Sequence, residues 1–370
     1  MKILRIKGRV LIADQHPNYL DETEKNSDEI TRTIFIIQNK YALLSLRNQL
    51  FLRVRENSKI RQEGQLHDLA EVMKAPLLQN IQQALSFDAC LNFHFSHALF
   101  HQTKWELKQA LYHHEQIYLK WKSNPQFQKY RATDYRNSLN NYLGLCNAEH
   151  QFEHFAEALI ALEKPPFQSK DEEAEARQNG LFVRLQHWIT KCKWEDAIKV
   201  EDTFQKEQTL IGKKLTTSRR MAFSMSFSWL CLIVGDLEGA IKWNEDLLAL
   251  GTQAVRIDLR RYALLFALII HFELGNVDQL DNRYRAALRA YKKDELELQY
   301  EKMVLKFLLK LQKVPVGEML QSLLLELRGN LSGLLNLPEE RNALGFEFTM
   351  QWVASKVEKC SLKCILEKHI

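Results

Sequence analysis

Residues 277–293 read VDQLDNRYRAALRAYKK, with Val277, Leu280, Tyr284, Ala287, Leu288 and Tyr291 recurring three and four positions apart. At 3.6 residues per turn this period gathers all six on one face, so the stretch reads as an amphipathic helix with a single buried stripe. The same pattern, interrupted by short breaks, runs from Ser27 onward. Only 13 glycines and 7 prolines punctuate the 370 residues, too few for the many tight turns of an all-β fold. Hydrophobic residues make up 46% of the chain and charged residues 26%, which suits a buried core and not a disordered chain. The expected fold class is all-α.

Local signals mark the helix ends. Thr103-Lys104-Trp105-Glu106 and Ser169-Lys170-Asp171-Glu172 read as capping boxes, in which the hydroxyl takes an orphan amide and the glutamate reaches back. Gly251 follows the apolar run 247–250, and Pro165-Pro166 closes the helix carrying Ala158 to Leu162, since proline has no amide to donate. In successive helical pairs the second helix opens with an aromatic or acidic residue ahead of a small one: Trp105 with Ala110, Phe152 with Ala156, Trp194 with Ala197, Asp236 with Ala240. Leu280 takes the small-residue place in a fifth pair. The separations are 46, 41, 43 and 40 residues, a drifting repeat of antiparallel helix pairs that stack into an α-solenoid.

Tyr142-Leu143-Gly144 with Ala156 twelve residues after the glycine, and Gly235-Asp236 or Gly275-Asn276 at the helix turn, resemble the tetratricopeptide repeat. The resemblance is to a divergent, long-period bacterial type, covers about residues 88–292, and departs from the family in its longer unit and in having only Pro165-Pro166 for the closing proline. It implies a right-handed superhelix that binds a partner and does not name that partner. The implied organisation is an irregular or short-strand arm over 1–26, an N-terminal helical pair over 27–87, tetratricopeptide-like repeats over 88–292, and capping helices over 293–370, about seven helix pairs in all. Phe346, Met350, Val353, Val357, Cys360 and Cys364 form a heptad-like seam on an expected long last helix. It packs on preceding helices as a cap or, alternatively, pairs two chains, so the chain is expected as a monomer or a homodimer through that helix.

Charge and cysteine usage bound the setting. Residues 1–62 carry 12 Lys/Arg against 7 Asp/Glu, while the remainder is balanced, so any attraction for an acidic partner is local to the N-terminal part. Charges interleave in the first nine residues where a secretory signal needs an unbroken apolar run, and the longest apolar run, 263–270, is under half a membrane span. Cys90, Cys146, Cys192, Cys231, Cys360 and Cys364 are scattered without a C-x-x-C pair, which fits free thiols in a reducing compartment. A cytoplasmic protein without membrane contact is expected.

Cys90, His94, His97 and His101 share one helical face, with His113 and His114 on the next helix. Imidazole and thiolate bind zinc, yet eleven residues of helix span roughly 16 Å, so those four cannot share one ion. His94, His97 and His101 remain weak metal candidates beside a packing role, and no cofactor is assigned. His150 and His154 lack a correctly placed glutamate between them, Gly212-Lys213-Lys214 lacks the first glycine of a phosphate loop, and Gly329 to Gly333 misplaces the serine of a nucleophile elbow. No catalytic residue is assigned and a non-enzymatic protein is expected.

A groove lined by first helices is the usual binding surface of such repeats. Relative to the small-residue register it reads Ser138, Asn141 and Leu145, then Asn179, Phe182 and Gln186, then Ala222, Met225 and Trp229. Asn141, Phe182, Gln186, Met225 and Trp229 are the candidate partner-binding residues of a protein-interaction scaffold or adaptor holding a peptide or helix. The alternative is a helical-repeat regulator contacting nucleic acid through Arg47, Arg53, Arg55, Lys59 and Arg61, where Phe51 alone offers base stacking.

Overall fold

Past Pro17 the chain enters a run without glycine or proline, and Asp21 and Glu22 lie in its first turn, where the positive end of the helix dipole favours carboxylates. The result is helix α1, Tyr19–Glu56. The computed structural model describes residues 6–7, 9–10, 18–56, 63–165, 167–250, 256–293, 298–311 and 318–368, and all regular structure among them is helical. The strand or irregular arm expected for 1–26 is corrected where it is described: residues 19–26 belong to α1, and residues 6–7 and 9–10 are also helical.

After α1 come α2 (Glu63–Met73), α3 (Phe87–Thr103), α4 (Leu107–Lys122), α5 (Pro125–Tyr130) and α6 (Ala132–Ala148). Then follow α7 (Phe155–Glu163), α8 (Lys170–Thr190), α9 (Trp194–Lys206), α10 (Gln208–Ile211), α11 (Thr217–Val234) and α12 (Leu237–Leu250). The chain continues with α13 (Ile257–Glu273), α14 (Val277–Lys293), α15 (Gln299–Leu311) and α16 (Glu318–Gly333). It ends with α17 (Pro338–Arg341), α18 (Phe346–Val357) and α19 (Leu362–Glu367). Two compact units, Met1–Phe155 and Ala156–Ile370, divide the chain. The boundary falls inside the 88–292 segment, and composition conceals it because helical hairpins occur on both sides.

In the first unit α1 lies along α3, with Leu43 packed against Leu78, Ala89 and Phe93, and Leu50 against Leu69 and Val72. Asn39 fastens the segment before α3 to α1: its amide donates to Gln83 O at 2.8 Å and its carbonyl accepts from Leu85 N at 3.0 Å. Trp121 joins α3, α4 and α6 by packing on Leu91 and Ile117 while its indole N–H donates to Ser138 Oγ at 3.1 Å.

In the second unit one core runs from Leu181 to Leu362. α8 packs with α9, α11 with α12, and α13 with α14, while the first helices α8, α11, α13 and α15 touch in succession. The fourth residue is buried in the second helices α4, α7, α9, α12 and α14: Ala110, Ala158, Ala197, Ala240 and Leu280. Ala156, assigned that place from the sequence, is exposed, because the helix opens at Phe155 and not near Phe152.

Among the described residues a single turn geometry recurs at six helix ends. Trp105, His150, Cys192, Gly235, Gly275 and Lys359 all take positive φ, between 51° and 87°. The following amide in each case donates five residues back: Glu106 to His101 O, Gln151 to Cys146 O, Lys193 to Trp188 O, Asp236 to Cys231 O, Asn276 to His271 O and Cys360 to Ser355 O. This is the Schellman termination, which satisfies carbonyls the helix leaves unpaired. Four of the six positions carry a side chain where glycine fits best. His150 is exposed, so His150→Gly is expected to raise the urea midpoint by an equivalent of about 0.5–1 kcal/mol, the left-handed penalty less the extra freedom of unfolded glycine. His150→Val should lower it, and equal midpoints for the two variants would contradict the strain.

Two further expectations are corrected. Thr103 does not cap a helix; it is the last residue of α3, its hydroxyl donates to Leu99 O, and Glu106 occupies the cap of α4. Ser169 does cap α8, accepting from Glu172 N at 3.1 Å. The single long last helix is broken after Val357 by the turn at Lys359, and Ser361 caps α19. Its seam faces its own unit: Phe346 meets Tyr300 edge-on at 5.5 Å, and Val353 is fully buried. All six cysteines are free thiols. Gly251 and Pro166 lie outside the described residues.

Candidate functional site

Four of the five candidate groove residues come together in the second unit. Phe182 and Gln186 on α8, and Met225 and Trp229 on α11, line one cavity of about 440 Å³. Their spacings of four residues put each pair on one helix face. Met225 is buried in its floor, and Trp229 is held from behind by Phe348 of α18, stacked at 5.4 Å, and by Tyr262 of α13, edge-on at 5.9 Å. The chain's own C-terminal helices thus occupy one side of Trp229, leaving a cavity where an open apolar groove was expected. Asn141 is in the other unit, exposed on α6, and does not join this cavity.

The cavity also contains residues that the sequence reading missed. Arg219 and Arg256 line it together with Thr216, Ser218, Ser226, Leu259 and Leu344. Arg219 stacks its guanidinium over Phe182 at 4.7 Å and donates to Asn179 Oδ1 at 2.7 Å. Among the described residues it has no ion-pair partner, and burial pulls its basicity below the usual arginine value while Glu175 opposes that shift. Arg256 is held by Asp258 at 2.7 Å. Carrying the register one turn back from Ala222 reaches Ser218 and Arg219, which is the sequence signal that would have found them. The wall therefore combines aromatic surface with a half-buried cation that no carboxylate among the described residues contacts directly.

The basic N-terminal stretch does not form one charged face among the described residues. Arg47 lines a separate cavity of about 470 Å³ in the first unit together with Asp88 and Asp134, and burial lowers its pKa. Arg53 donates to Gln49 O on its own helix. The Arg55 side chain, Lys59 and Arg61 lie outside the described residues.

The histidines gather between α3 and α4. His94 Nδ1 meets His113 Nδ1 at 3.0 Å, and His113 lies 4.7 Å from His97 and 5.6 Å from His101 by ring centroids. His97 and His101, one turn apart on α3, are thus completed by His113 of α4. The roughly 16 Å of helix that separates Cys90 from His101 does not limit these three. Cys90 instead directs its thiol to Ala84 O at 3.5 Å. His154 neighbours Glu115 and Glu153 in a second cluster.

Burial, followed by repulsion from His97 and Lys120, pushes His94 down to about 4; burial and the surrounding histidines push His113 down to about 3. Burial alone pushes His114, packed edge-on to Phe95 at 5.8 Å, down to about 4. Their folded pKa values lie below the unfolded value near 6.5, so the unfolded chain takes up protons first on acidification. Metal-free protein should therefore be fully stabilised by these groups above pH 6.5 and lose that stability as pH falls toward 4. His114 alone accounts for on the order of 3 kcal/mol of this loss. Urea midpoints at pH 7.5, 5.5 and 4.5 test it; the slope should shrink in His114→Leu, and an unchanged slope would refute the assignment.

No helix among the described residues is long and apolar enough to cross a membrane. Comparison with protein-family models, with curated proteins and with solved structures finds no match to this chain.

Proposed function

We propose that this is a cytoplasmic, non-enzymatic adaptor of tetratricopeptide-like, right-handed α-solenoid type, and that its second unit holds a peptide segment presenting a carboxylate beside an apolar side chain. The observation that carries this reading is the cavity lined by Phe182, Gln186, Met225 and Trp229, into which Arg219 brings a half-buried cation hydrogen-bonded to an amide and not to an acid. A desolvated guanidinium gains a charge-assisted, bidentate contact from a carboxylate, while Trp229 and Phe182 supply the large, rigid contact area typical of binding hot spots. The recurring turns and the successive contacts of first helices in that unit support the solenoid reading.

Selection of a random peptide library on the purified protein tests the proposal. Enriched peptides should combine Asp, Glu or a free C-terminus with an aromatic or aliphatic residue, and Arg219→Ala should weaken them at least tenfold, the loss of about 1.5–3 kcal/mol for a hydrogen bond to a charged group. Failure to enrich any sequence, or enrichment indifferent to Arg219→Ala, would contradict it. The nucleic-acid reading has less support, since Arg47 shares its cavity with the carboxylates Asp88 and Asp134, which pair there with Lys40 and Arg131.

A further inference from the structure

We propose that His97, His101 and His113 form a binding site for one divalent transition-metal ion of the zinc class. Each of the three rings brings a nitrogen to within 4.8 Å of the others'. Tetrahedral zinc with bonds of about 2.0–2.1 Å sets its ligand nitrogens about 3.3 Å apart, so closing the site takes a contraction of about 1.5 Å or less, within reach of side-chain rotation alone. Ring centroids around such an ion stand about 5 Å from one another, and here they stand at 4.7, 5.6 and 6.3 Å.

The surroundings already orient two of the rings. His97 Nε2 lies 2.9 Å from Leu78 O, and His101 Nδ1 lies 2.6 Å from Glu106 Oε2. A carbonyl and a carboxylate only accept, so those ring nitrogens carry the protons, and the lone pairs of His97 and His101 sit on Nδ1 and Nε2 respectively. Backbone carbonyl and carboxylate are the two acceptors that orient metal-bound imidazoles from behind. An all-imidazole donor set suits zinc and its late-transition neighbours and excludes magnesium and calcium, which require oxygen. A cavity of about 570 Å³ lined by Cys90, His94 and Lys120 lies on the far side of His94, whose Nδ1 meets His113 at 3.0 Å. Because the ligands come from both α3 and α4, the ion would tie the two helices together.

The test uses the full chain, stripped with chelator and titrated with Zn²⁺ by calorimetry and with Co²⁺ by visible absorption. The expected result is one ion per chain, tetrahedral-type cobalt bands, and at least a tenfold loss of affinity in both His97→Gln and His101→Gln. His154→Gln, which alters the second cluster with Glu115 and Glu153, should bind as the parent does. Helical circular dichroism of each variant checks its fold, and zinc-induced shifts of the imidazole ¹⁵N resonances in the unmodified protein provide a readout independent of any variant. The proposal is overturned by absent or substoichiometric binding to the folded parent, by unchanged affinity in folded His101→Gln, by loss confined to His154→Gln, or by imidazole shifts that bypass these residues.

Discussion

Glu301→Gln is expected to destabilise the second unit by about 3–5 kcal/mol, the usual cost of leaving one member of a buried ion pair without its partner. Arg261 on α13 and Glu301 on α15 pair with side chains only 5% and 3% exposed. Tyr291 of α14 closes the group: its hydroxyl donates to Arg261 O at 2.9 Å, its ring lies 4.5 Å beneath the Arg261 guanidinium, and burial together with Glu301 keeps the phenol protonated. Glutamine keeps the shape and removes the charge, so Arg261 stays desolvated and loses the anionic partner it has in Glu301. The double variant Arg261→Met with Glu301→Leu should recover most of the loss, because apolar residues of similar volume carry no desolvation cost. Urea unfolding should show the shift in the transition of residues 156–370 and leave that of the first unit in place. A loss below about 1 kcal/mol for Glu301→Gln would mean that the pair is solvated.

The second large effect is expected at Gly345, which precedes α18 with φ of 81°. A Cβ there would lie 1.8 Å from Tyr262 Cε2, and Tyr262 is only 1% exposed, so its ring has nowhere to go. Gly345→Ala combines a left-handed penalty of about 1–2 kcal/mol with an overpacking cost of about 1–3 kcal/mol. The helix it displaces carries Phe348, which backs Trp229 in the cavity, so the variant should also weaken peptide binding. Companion variants separate the causes: Gly345→Ala combined with Tyr262→Leu relieves the collision and retains the backbone strain. A Gly345→Ala protein with parental stability would show that α18 is not seated on α13 through this contact.

Much of the helical layout is legible in the residues. Gly235 and Gly275 announce two of the six recurring turns, and Ala110, Ala197 and Ala240 mark where second helices are buried. Trp105, His150, Cys192 and Lys359 make the same turn without glycine, so local composition conceals them; that is why the last helix reads as unbroken and why Ala156 is mistaken for Ala158. Helical spacing assembles Phe182 with Gln186 and Met225 with Trp229. It does not supply Leu344 or Phe348, which arrive at this site from more than a hundred residues away. The histidines show the same limit: spacing along α3 argues against one shared ion for Cys90 through His101, while the third corner, His113, enters from the facing helix. Pairs such as Arg261 with Glu301 join different helices and leave no periodic trace.

Peptide binding by the second unit at the cavity containing Arg219 is reported directly by the methyl resonances of the methionines. With ¹³C-methyl methionine and an acidic, apolar peptide from the selection, Met225 in the cavity should shift with saturating dependence, while Met73 in the first unit stays fixed. Arg219→Ala should weaken that response at least tenfold. Saturable peptide binding that shifts Met73 and leaves Met225 unmoved would contradict the account.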